Sequence, residues 1–401
     1  MKIVIISETF SKSMGYMESM LPKFLARFGA EVHVITTDLS PYYHTPDFAE
    51  TYTEFSKKSQ LAPGSVEIHE GYTLHALPHQ RLLGYMRVRG MRKKIAEIRP
   101  DIVYSIAAIG WIALESALLK PLFGYKFFTG SHTTASVFAL ARRNPSLYDY
   151  AFVKNFVTRV IPGRITSFFT EKCYGATKDC ADIAVRFFGV EIRKIDVCPL
   201  GVDTDLFSPP ISAEDIIVRE RFRRHLGVGN DEIICVYTGR FSDDKNPLIL
   251  GQAIARLVEQ GEPYRAIFVG HGIQAELLKQ LPGCTVFPFT PVENLPQYFR
   301  SSDIGVWPTQ ESTSMLDAAA CGLPLIVNHT LVATERIDGN GLTYRLNDVD
   351  DMIRVLRLLK DKALRNKLGE AGSRKMAAQF GWESIARRRY NDFNAALSNF
   401  R

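Results

Sequence analysis

The chain has 401 residues, of which 46% are apolar and 23% are charged. This composition excludes a disordered chain, and the length predicts two domains of about 200 residues each. The net charge of +6 is uneven. Residues 1–200 hold 25 Lys and Arg against 18 Asp and Glu, whereas residues 201–401 hold 24 against 25. The excess in the first half indicates an anionic partner, either lipid headgroups or nucleic acid.

The first half opens with a strand, a loop, a helix and a second strand. The strand Lys2–Ser7 is followed by a polar loop with Gly15, an amphipathic helix at Glu18–Phe28 and a strand at Glu31–Thr37. This order is typical of a mononucleotide-binding half-unit. Further elements expected in this half are strands near Gly71–Leu77, Asp101–Ile106 and Lys126–Thr129, and helices at Val88–Ile98 (basic) and Trp111–Leu119.

The second half repeats the alternation of strands and helices. Its predicted strands are Glu232–Thr238, Tyr264–Val269, Thr285–Phe287, Ile304–Trp307 and Leu325–Val327, and its helices are Pro247–Gln260, Gln274–Gln280, Leu295–Arg300 and Ser314–Cys321. Such alternation predicts an α/β protein with two Rossmann-like, doubly wound parallel sheets and ligands bound at the strands' carboxyl ends, in the cleft between the domains. We expect domains at 1–198 and 211–382, joined by a linker at 199–210 that proline and glycine bracket.

Targeting and metal signals are absent from the sequence pattern. The N-terminal apolar run is too short for a signal peptide, and no stretch approaches 18 uninterrupted apolar residues, so we expect neither a leader nor a membrane span. The six cysteines lack zinc-site spacing and predict reduced, buried thiols in a cytosolic protein: Cys173, Cys180, Cys198, Cys235, Cys284 and Cys321.

Two segments of the second half carry groups suited to a nucleotide. Gly239 and Arg240 end a strand, and Lys245 follows before a helix, so both cations could hold a diphosphate by charge-assisted bonds. A solvated charged loop is the alternative. Near Ser314, the segment Ser312–Ser314 predicts a helix N-terminus with free amides for an anion.

Asp317 lies in the first turn of that helix. Its carboxylate could accept two hydroxyl protons from a ribose diol. An acid that only steadies the helix terminus is the alternative.

Together these residues resemble the retaining family 4 glycosyltransferases of GT-B fold. The likeness rests on segments that occur in the family's order and spacing across nearly the whole chain: Pro199–Asp203 with Phe207, Gly239-Arg240 with Lys245, Val269–Gly272, Ser302–Ile304 with Pro308, Asp317 with Ala320–Pro324, and Asn340–Leu342. The first half agrees more loosely, through Gly15-Tyr16 and Leu25–Val34.

The resemblance implies a nucleotide-sugar donor site and a sugar-transfer reaction. It assigns His132, Glu311, Arg240 and Lys245 to catalysis, with no metal or other cofactor. It assigns donor binding to Gly15, Tyr16, Gly239, Arg240, Lys245, Gly270, Ser312, Thr313, Ser314, Met315, Leu316 and Asp317. It also implies an acceptor-binding first domain, onto which a C-terminal helix at about 383–401 packs back.

One departure from the family pattern concerns the first of its two carboxylates. The family places that acid eight positions before the one that aligns with Asp317, where this chain has Thr309. Glu311 precedes Asp317 by only six positions. Either the loop is two residues shorter or Glu311 is not the equivalent group, so the donor sugar stays open.

The segment Asp203-Thr204-Asp205 imitates a metal-binding DxD motif. We reject a metal site there, because the segment falls in the predicted linker and fits the family's Gly-Val-Asp pattern. A GT-B enzyme of this kind holds the diphosphate with Arg, Lys and helix dipoles.

Two basic segments of the first half are interleaved with aromatic and aliphatic residues. They are Arg81–Lys94, which includes Leu83, and Phe138–Phe169, which includes Arg143 and Tyr148. This mixture is typical of a site that docks on anionic lipid, whereas no nucleic-acid recognition motif accompanies the charge. An ordinary amphipathic helix with a solvated face is the alternative.

The sequence thus predicts a retaining transferase at the inner face of the cell membrane. It would move a sugar from a UDP- or GDP-sugar to a glycan, glycolipid or lipid-linked acceptor. The rival hypotheses are a non-catalytic relative that binds nucleotide-sugar and a nucleotide-sugar 2-epimerase.

Overall fold

A computed structural model of the chain describes residues 1–41, 43, 61–82, 85–142, 149–229 and 231–398. The described residues divide into two compact units. The first contains the chain up to Leu200 together with a C-terminal helix from Trp382, and the second runs from Gly201 to Gly381.

The first unit is built on an eight-stranded sheet in the order β10-β9-β8-β7-β1-β2-β4-β3. Every pairing in it is parallel except that of β3 with β4. Two further strands, β5 and β6, form a separate antiparallel hairpin. The strands are β1 Lys2–Ile6, β2 Glu31–Thr37, β3 Val66–His69, β4 Tyr72–Leu77, β5 His79–Leu82, β6 Tyr85–Val88, β7 Ile102–Ser105, β8 Lys126–Ser131, β9 Lys172–Gly175 and β10 Ile195–Val197.

Helices cover both faces of this sheet, because successive side chains of a buried parallel strand point to opposite faces and both are apolar. In β1, Ile3 and Ile5 belong to one core cluster, and Val4 and Ile6 belong to another. The helices are α1 Met17–Arg27, α2 Met91–Ile98, α3 Trp111–Phe123, α4 Tyr150–Asn155, α5 Ile161–Phe169, α6 Lys178–Phe188 and the C-terminal helix Trp382–Ser398, with a π-helical turn at Phe156–Val160. The C-terminal helix packs against α1.

One predicted helix starts later than the sequence pattern indicates. The basic helix expected at Val88–Ile98 begins at Met91, because Gly90 adopts a left-handed conformation with φ of 82° and ends the preceding turn. Val88 instead pairs with His79 in the β5–β6 hairpin. Much of the basic segment therefore lies on a hairpin.

The second unit contains a six-stranded, wholly parallel sheet in the order β13-β12-β11-β14-β15-β16. Its strands are β11 Ile233–Thr238, β12 Tyr264–Val269, β13 Cys284–Phe287, β14 Ile304–Trp307, β15 Leu325–Asn328 and β16 Gly341–Tyr344. Its helices are α7 Ala213–His225, α8 Leu248–Glu259, α9 Ala275–Gln280, α10 Pro296–Ser301, α11 Ser314–Ala320, α12 Val349–Leu358 and α13 Lys362–Lys375. The α/β class with doubly wound parallel sheets is confirmed.

A buried ion pair ties α7 to the start of β14. Asp303 accepts from Arg219 at 2.7 Å, from Arg223 at 3.0 Å and from the amide of Ile234 at 2.9 Å. Arg223 is almost wholly buried and also donates to the carbonyls of Ser301 and Gly229. The Arg223 guanidinium therefore satisfies one oxygen of Asp303 and two backbone carbonyls inside the unit.

We expect Arg223→Met to destabilise the protein by about 3–5 kcal/mol, because it leaves Asp303 and the carbonyls short of donors inside the unit. Arg221→Met, on the exposed side of the same helix, is the matched control and should change stability by less than about 0.5 kcal/mol. Urea unfolding of both variants measures the difference. Equal, small losses would show that the pair contributes nothing.

Candidate functional site

The loops that leave β11 and β12 in the second unit lie against one another. A Cβ atom on Gly270 would sit 1.9 Å from the carbonyl oxygen of Gly239, so no larger residue fits there. The amide of Gly239 donates to Val269, and that of Phe241 donates to His271. This close packing fixes the backbone from which the Arg240 side chain projects, at the carboxyl end of the sheet where ligands bind in such folds.

The two predicted phosphate-binding cations lie together in this loop. Arg240 forms an ion pair with Asp244 at 3.3 Å and retains a partly exposed side chain. Lys245 donates from Nζ to the carbonyl oxygen of Glu311 at 3.1 Å. The pKa of Lys245 is lowered to about 8, mainly by burial and in part by the charge of Arg240, while Asp244 and Glu311 oppose the shift. Lys245 is thus a poorly solvated cation that an anion would stabilise.

The same hydrogen bond brings Glu311 to the site. Its carbonyl accepts from Lys245, and its side chain is partly exposed. Thr309, at the position where the family pattern has its first acid, has a buried hydroxyl with no hydrogen-bond partner among the described residues. Its carbonyl is held by the side-chain amide of Asn328.

The start of α11 differs from the expected anion site. The amide of Ser314 donates to Ser312 Oγ at 3.3 Å, that of Met315 to the Ser312 carbonyl at 3.3 Å, and that of Leu316 to the Thr313 carbonyl at 2.8 Å. Thr313 is the N-cap, but its side chain caps nothing. The free amides predicted at Ser314–Leu316 are therefore already engaged, and the prediction is corrected on this point.

Asp317 has an environment that opposes its charge. The pKa of its carboxyl is raised to about 8, mainly by burial and in part by the nearby carboxylate of Asp203. No described residue donates a hydrogen bond to the Asp317 side chain. Asp203 instead caps a turn, in which its Oδ1 accepts from the amide of Asp205 at 3.1 Å. Asp317 thus lacks the donors that a ligand with hydroxyl groups would supply.

The sequence did not indicate this effect of Asp203, because Asp203 and Asp317 are far apart along the chain. Only the resemblance, which places both residues in family motifs, could have indicated it. Among the described residues, no group of three or more His, Cys, Asp or Glu side chains is arranged to hold a metal ion.

In the first unit, Gly15 and Tyr16 immediately precede α1. Gly15 has φ of 63°, and the carbonyl of Tyr16 accepts from the amides of Ser19 and Met20 in the first turn. Glu18 is buried in the same turn, and burial raises the pKa of its carboxyl to about 7.

His132 directly follows β8, as predicted. Both of its ring nitrogens are buried and make no hydrogen bond within the described part of the chain. The pKa of the ring is lowered to about 4, mainly by burial and in part by the positive charge of Arg389, whereas the Ile106 carbonyl acts in the opposite direction. Arg389, on the C-terminal helix, is a neighbour that the sequence did not reveal.

The structure joins the two basic segments of the first half. Arg159 donates to the hydroxyl of Tyr85 at 3.2 Å, and Arg87 pairs with Glu115 of α3 at 2.8 Å. Residues Leu83, Arg143 and Tyr148 of these segments lie outside the described residues.

Beside them, helices α4 and α5 and the turn between them expose a set of large apolar side chains that we call the apolar face: Tyr150, Val153, Phe156, Val157, Ile161, Ile165 and Phe168. Lys154 and Arg164 are exposed among these residues. None of the helices in the described part of the chain has the length and apolar character needed to cross a membrane.

Comparison with known families gives two matches. The family described as "Glycosyltransferase Family 4" matches residues 20–206, and "Glycosyl transferases group 1" matches residues 232–361. The chain is also similar to two proteins named D-inositol 3-phosphate glycosyltransferase. That of Xylanimonas cellulosilytica is 30% identical over 53% of this chain and 54% of its own length. That of Streptomyces coelicolor is 27% identical over 85% of this chain and 80% of its own length.

Two solved structures share the fold. Sucrose-phosphate synthase from Thermosynechococcus elongatus aligns with a TM-score of 0.72 at 16% identity, over 99% of both chains. The Anabaena protein HepE in complex with UDP-glucose aligns with a TM-score of 0.66 at 15% identity, over the full length of both chains. The matched families and these structures agree with the resemblance drawn from the motifs. The chain therefore belongs to the group 1 and family 4 glycosyltransferases and has the GT-B fold.

Proposed function

We propose that this protein transfers a sugar, with retained anomeric configuration, from a UDP- or GDP-sugar to a glycan, glycolipid or lipid-linked acceptor. The observation that carries the proposal is the environment of Lys245 and Asp317 in the second unit. One is a desolvated cation and the other an acid without donors, and a nucleoside diphosphate has the complementary groups for both.

In this proposal the diphosphate binds Arg240 and Lys245, whose charges stabilise the negative charge that builds on the leaving group. The ribose hydroxyls donate to Asp317. Glu311 and His132 orient the sugar, as the resemblance implies, and no metal is needed. Because the amides of Ser314–Leu316 already donate hydrogen bonds within the turn, phosphate binding depends more on the side chains of Arg240 and Lys245.

A UDP-sugar is the preferred donor in the proposal, because the Anabaena neighbour is described with UDP-glucose. The named activity of the two bacterial relatives supports a phosphorylated polyol as one further acceptor to test. The unmatched acid position at Thr309 favours the rival, a relative that binds donor without transfer. Nucleotide released only when acceptor is present would exclude both that rival and a 2-epimerase.

We further propose that the apolar face docks on an anionic lipid surface at the cytoplasmic side of the membrane. Tyr150 and Phe168 are 79% and 76% exposed, which is unusual for side chains of this size in one patch. The exposed cations Lys154 and Arg164 suit lipid phosphates. Docking would bring the enzyme to a lipid-linked acceptor.

The donor site is tested by thermal unfolding with UDP, GDP, ADP and their sugars. A nucleotide at a hundredfold excess over its Kd should stabilise the protein by about 2.7 kcal/mol. Lys245→Ala and Arg240→Ala should each weaken binding about ten- to a hundredfold, because each removes a charge-assisted hydrogen bond. Lys279→Ala, an exposed lysine of the same unit, is the control. The donor proposal fails if no nucleotide stabilises the protein.

Asp317→Asn should separate stability from binding. The folded pKa of about 8 lies above the ordinary 3.8, so the folded chain binds more protons between these values and loses stability as pH rises through that window. Asparagine has no such cost. Its gain in Tm over the native chain should therefore grow from pH 4.5 to pH 8, while stabilisation by nucleotide falls.

The matched control for this variant is Asp350→Asn, because Asp350 is a surface acid whose ion pair with Arg256 contributes little. Scanning fluorimetry at three pH values, with and without UDP, gives both readings. A gain in Tm that does not change with pH would contradict the assigned environment of Asp317.

Membrane docking is tested by sedimentation with vesicles of phosphatidylcholine alone or with phosphatidylglycerol. Lys154→Gln with Arg164→Gln should weaken binding to the anionic vesicles about thirtyfold, since each cation contributes about 1 kcal/mol. Phe168→Ser should weaken it as well, whereas Ile217→Ser, an exposed apolar residue of the second unit, should not. Equal binding by all variants would contradict docking through the apolar face.

A further inference from the structure

The loop that carries His132 starts where β8 ends and runs along the first unit to Phe138. Both ring nitrogens of His132 are buried and have no hydrogen-bond partner among the described residues. The position of the ring therefore depends on how firmly the backbone on either side of it is held.

Ser131, which directly precedes His132, is the first anchor of this loop. It is buried at the end of β8, and its carbonyl accepts from the amide of Ala176 at 2.9 Å. Its hydroxyl donates to the carbonyl of Cys180 at 3.3 Å. Both partners belong to the segment that leaves β9 and enters α6. The residue before His132 is thus bound to that segment through its backbone and through its side chain.

Asp179, in the first turn of α6, supplies the second anchor. Its Oδ2 accepts from the amide of Ala135 at 2.8 Å. Only residues 132–134 lie between the two anchors, and His132 is the first of them. A segment this short that is held at both ends has little freedom to move, because each residue has only two soft backbone dihedral angles.

Thr177 holds the carboxylate of Asp179 in the orientation that this contact needs. As the N-cap of α6, its hydroxyl accepts from the amide of Cys180 at 3.3 Å. The hydroxyl proton is then free for Oδ1 of Asp179, to which it donates. Because Oδ1 serves this hydroxyl, Oδ2 is left to accept from Ala135. A carboxylate at position 179 therefore satisfies both donors, one with each oxygen.

The same helix also holds the far end of the loop. Phe138 is buried, and its ring centre lies 5.4 Å from those of both Phe187 and Phe188 at the C-terminal end of α6. At the near end, the His132 ring lies over the backbone of β8, where a Cβ atom on Gly130 would be 2.9 Å from His132 Nε2. The loop therefore follows α6, and Asp179 provides the anchor that comes next in sequence after the histidine.

We propose that Asp179 is a positioning residue for His132, acting through the amide of Ala135 and the short segment between them. The inference rests on the proposed function, in which His132 orients the sugar of the donor. A side chain that orients a substrate must itself be fixed, since a displacement of about 1 Å can lower the rate about a hundredfold. Asp179 thus does more than place a negative charge at the N-terminus of a helix.

The first test compares sugar transfer by Asp179→Ala and Asp179→Asn. Alanine removes both acceptors and should lower kcat by up to about a hundredfold. The KM for the donor and the stabilisation by nucleotide should stay as in the native chain, because Asp179 is not a donor-binding group. Asparagine keeps an acceptor for Ala135 and can donate to the Thr177 hydroxyl, so it should restore most of the rate.

Asp182→Ala is the matched control, because Asp182 lies on the exposed side of the same helix. Its kcat should equal that of the native chain. An equal loss of rate in Asp179→Asn and Asp179→Ala would mean that only the charge at the helix terminus matters, and it would overturn the proposal. A native rate in Asp179→Ala would overturn it as well.

The second test follows the His132 ring by NMR and needs no substrate. In protein labelled with ¹³C-histidine, the ring signal of His132 is identified by its loss in His132→Gln. Asp179→Ala should shift or broaden this signal, because the ring then samples several positions, whereas Asp179→Asn and Asp182→Ala should leave it unchanged. A native His132 signal in folded Asp179→Ala protein would contradict the positioning role.

Asp179→Glu keeps the test decisive if Asp179→Ala does not fold. Glutamate retains the charge at the helix terminus but moves both oxygens by one methylene, so it should disturb the His132 signal, and an unchanged signal would overturn the proposal. If the native chain transfers no sugar, the proposed function fails, but the NMR signal still decides whether Asp179 positions the ring.

Discussion

The close approach of two backbone segments at the carboxyl ends of β11 and β12 determines the candidate donor site. A Cβ at position 270 would lie only 1.9 Å from the Gly239 oxygen, so any side chain there would push the two loops apart. The segment from Arg240 to Lys245 is thereby held in place, and the hydrogen bond from Lys245 carries that order to Glu311. Glycine is required here by space.

On this fixed backbone the unit places charges in unfavourable surroundings. Burial lowers the pKa of Lys245 and raises that of Asp317, so it favours the neutral form of each side chain. An interior cluster such as Arg223 with Asp303 is, by contrast, satisfied by its own neighbours. This difference separates the groups that hold the fold from candidate ligand-binding groups, whose desolvation cost a complementary molecule would offset.

The sequence predicted the parallel strands well, since a strand buried on both faces is an unbroken apolar run that ends at a glycine or proline. Tyr264–Val269 and Ile304–Trp307 match their predicted bounds. The predicted start of α2 was wrong, because the apolar residues in Val88–Ile98 are spaced as in a helix. The left-handed conformation of Gly90, which makes the helix begin later, cannot be seen in that spacing.

For the site, the sequence indicated residues that follow strands but not their surroundings. Arg240 and Lys245 could be identified from position and charge. The engaged amides of α11 could not, because Ser312 lies one residue before the N-cap and accepts from Ser314 in a turn. The charges of Asp203 and Arg389 come from residues far along the chain from Asp317 and His132, and they add to the larger effect of burial on the two pKa values.

In each unit, a charged side chain acts on a buried group that would carry the same sign of charge when ionised. In the second, Asp203 adds its effect to burial and keeps a nearby carboxyl protonated until hydroxyl donors arrive. In the first, Arg389 adds its effect to burial and keeps a nearby imidazole without a proton. In both cases burial shifts the pKa most, and the like charge adds to that shift.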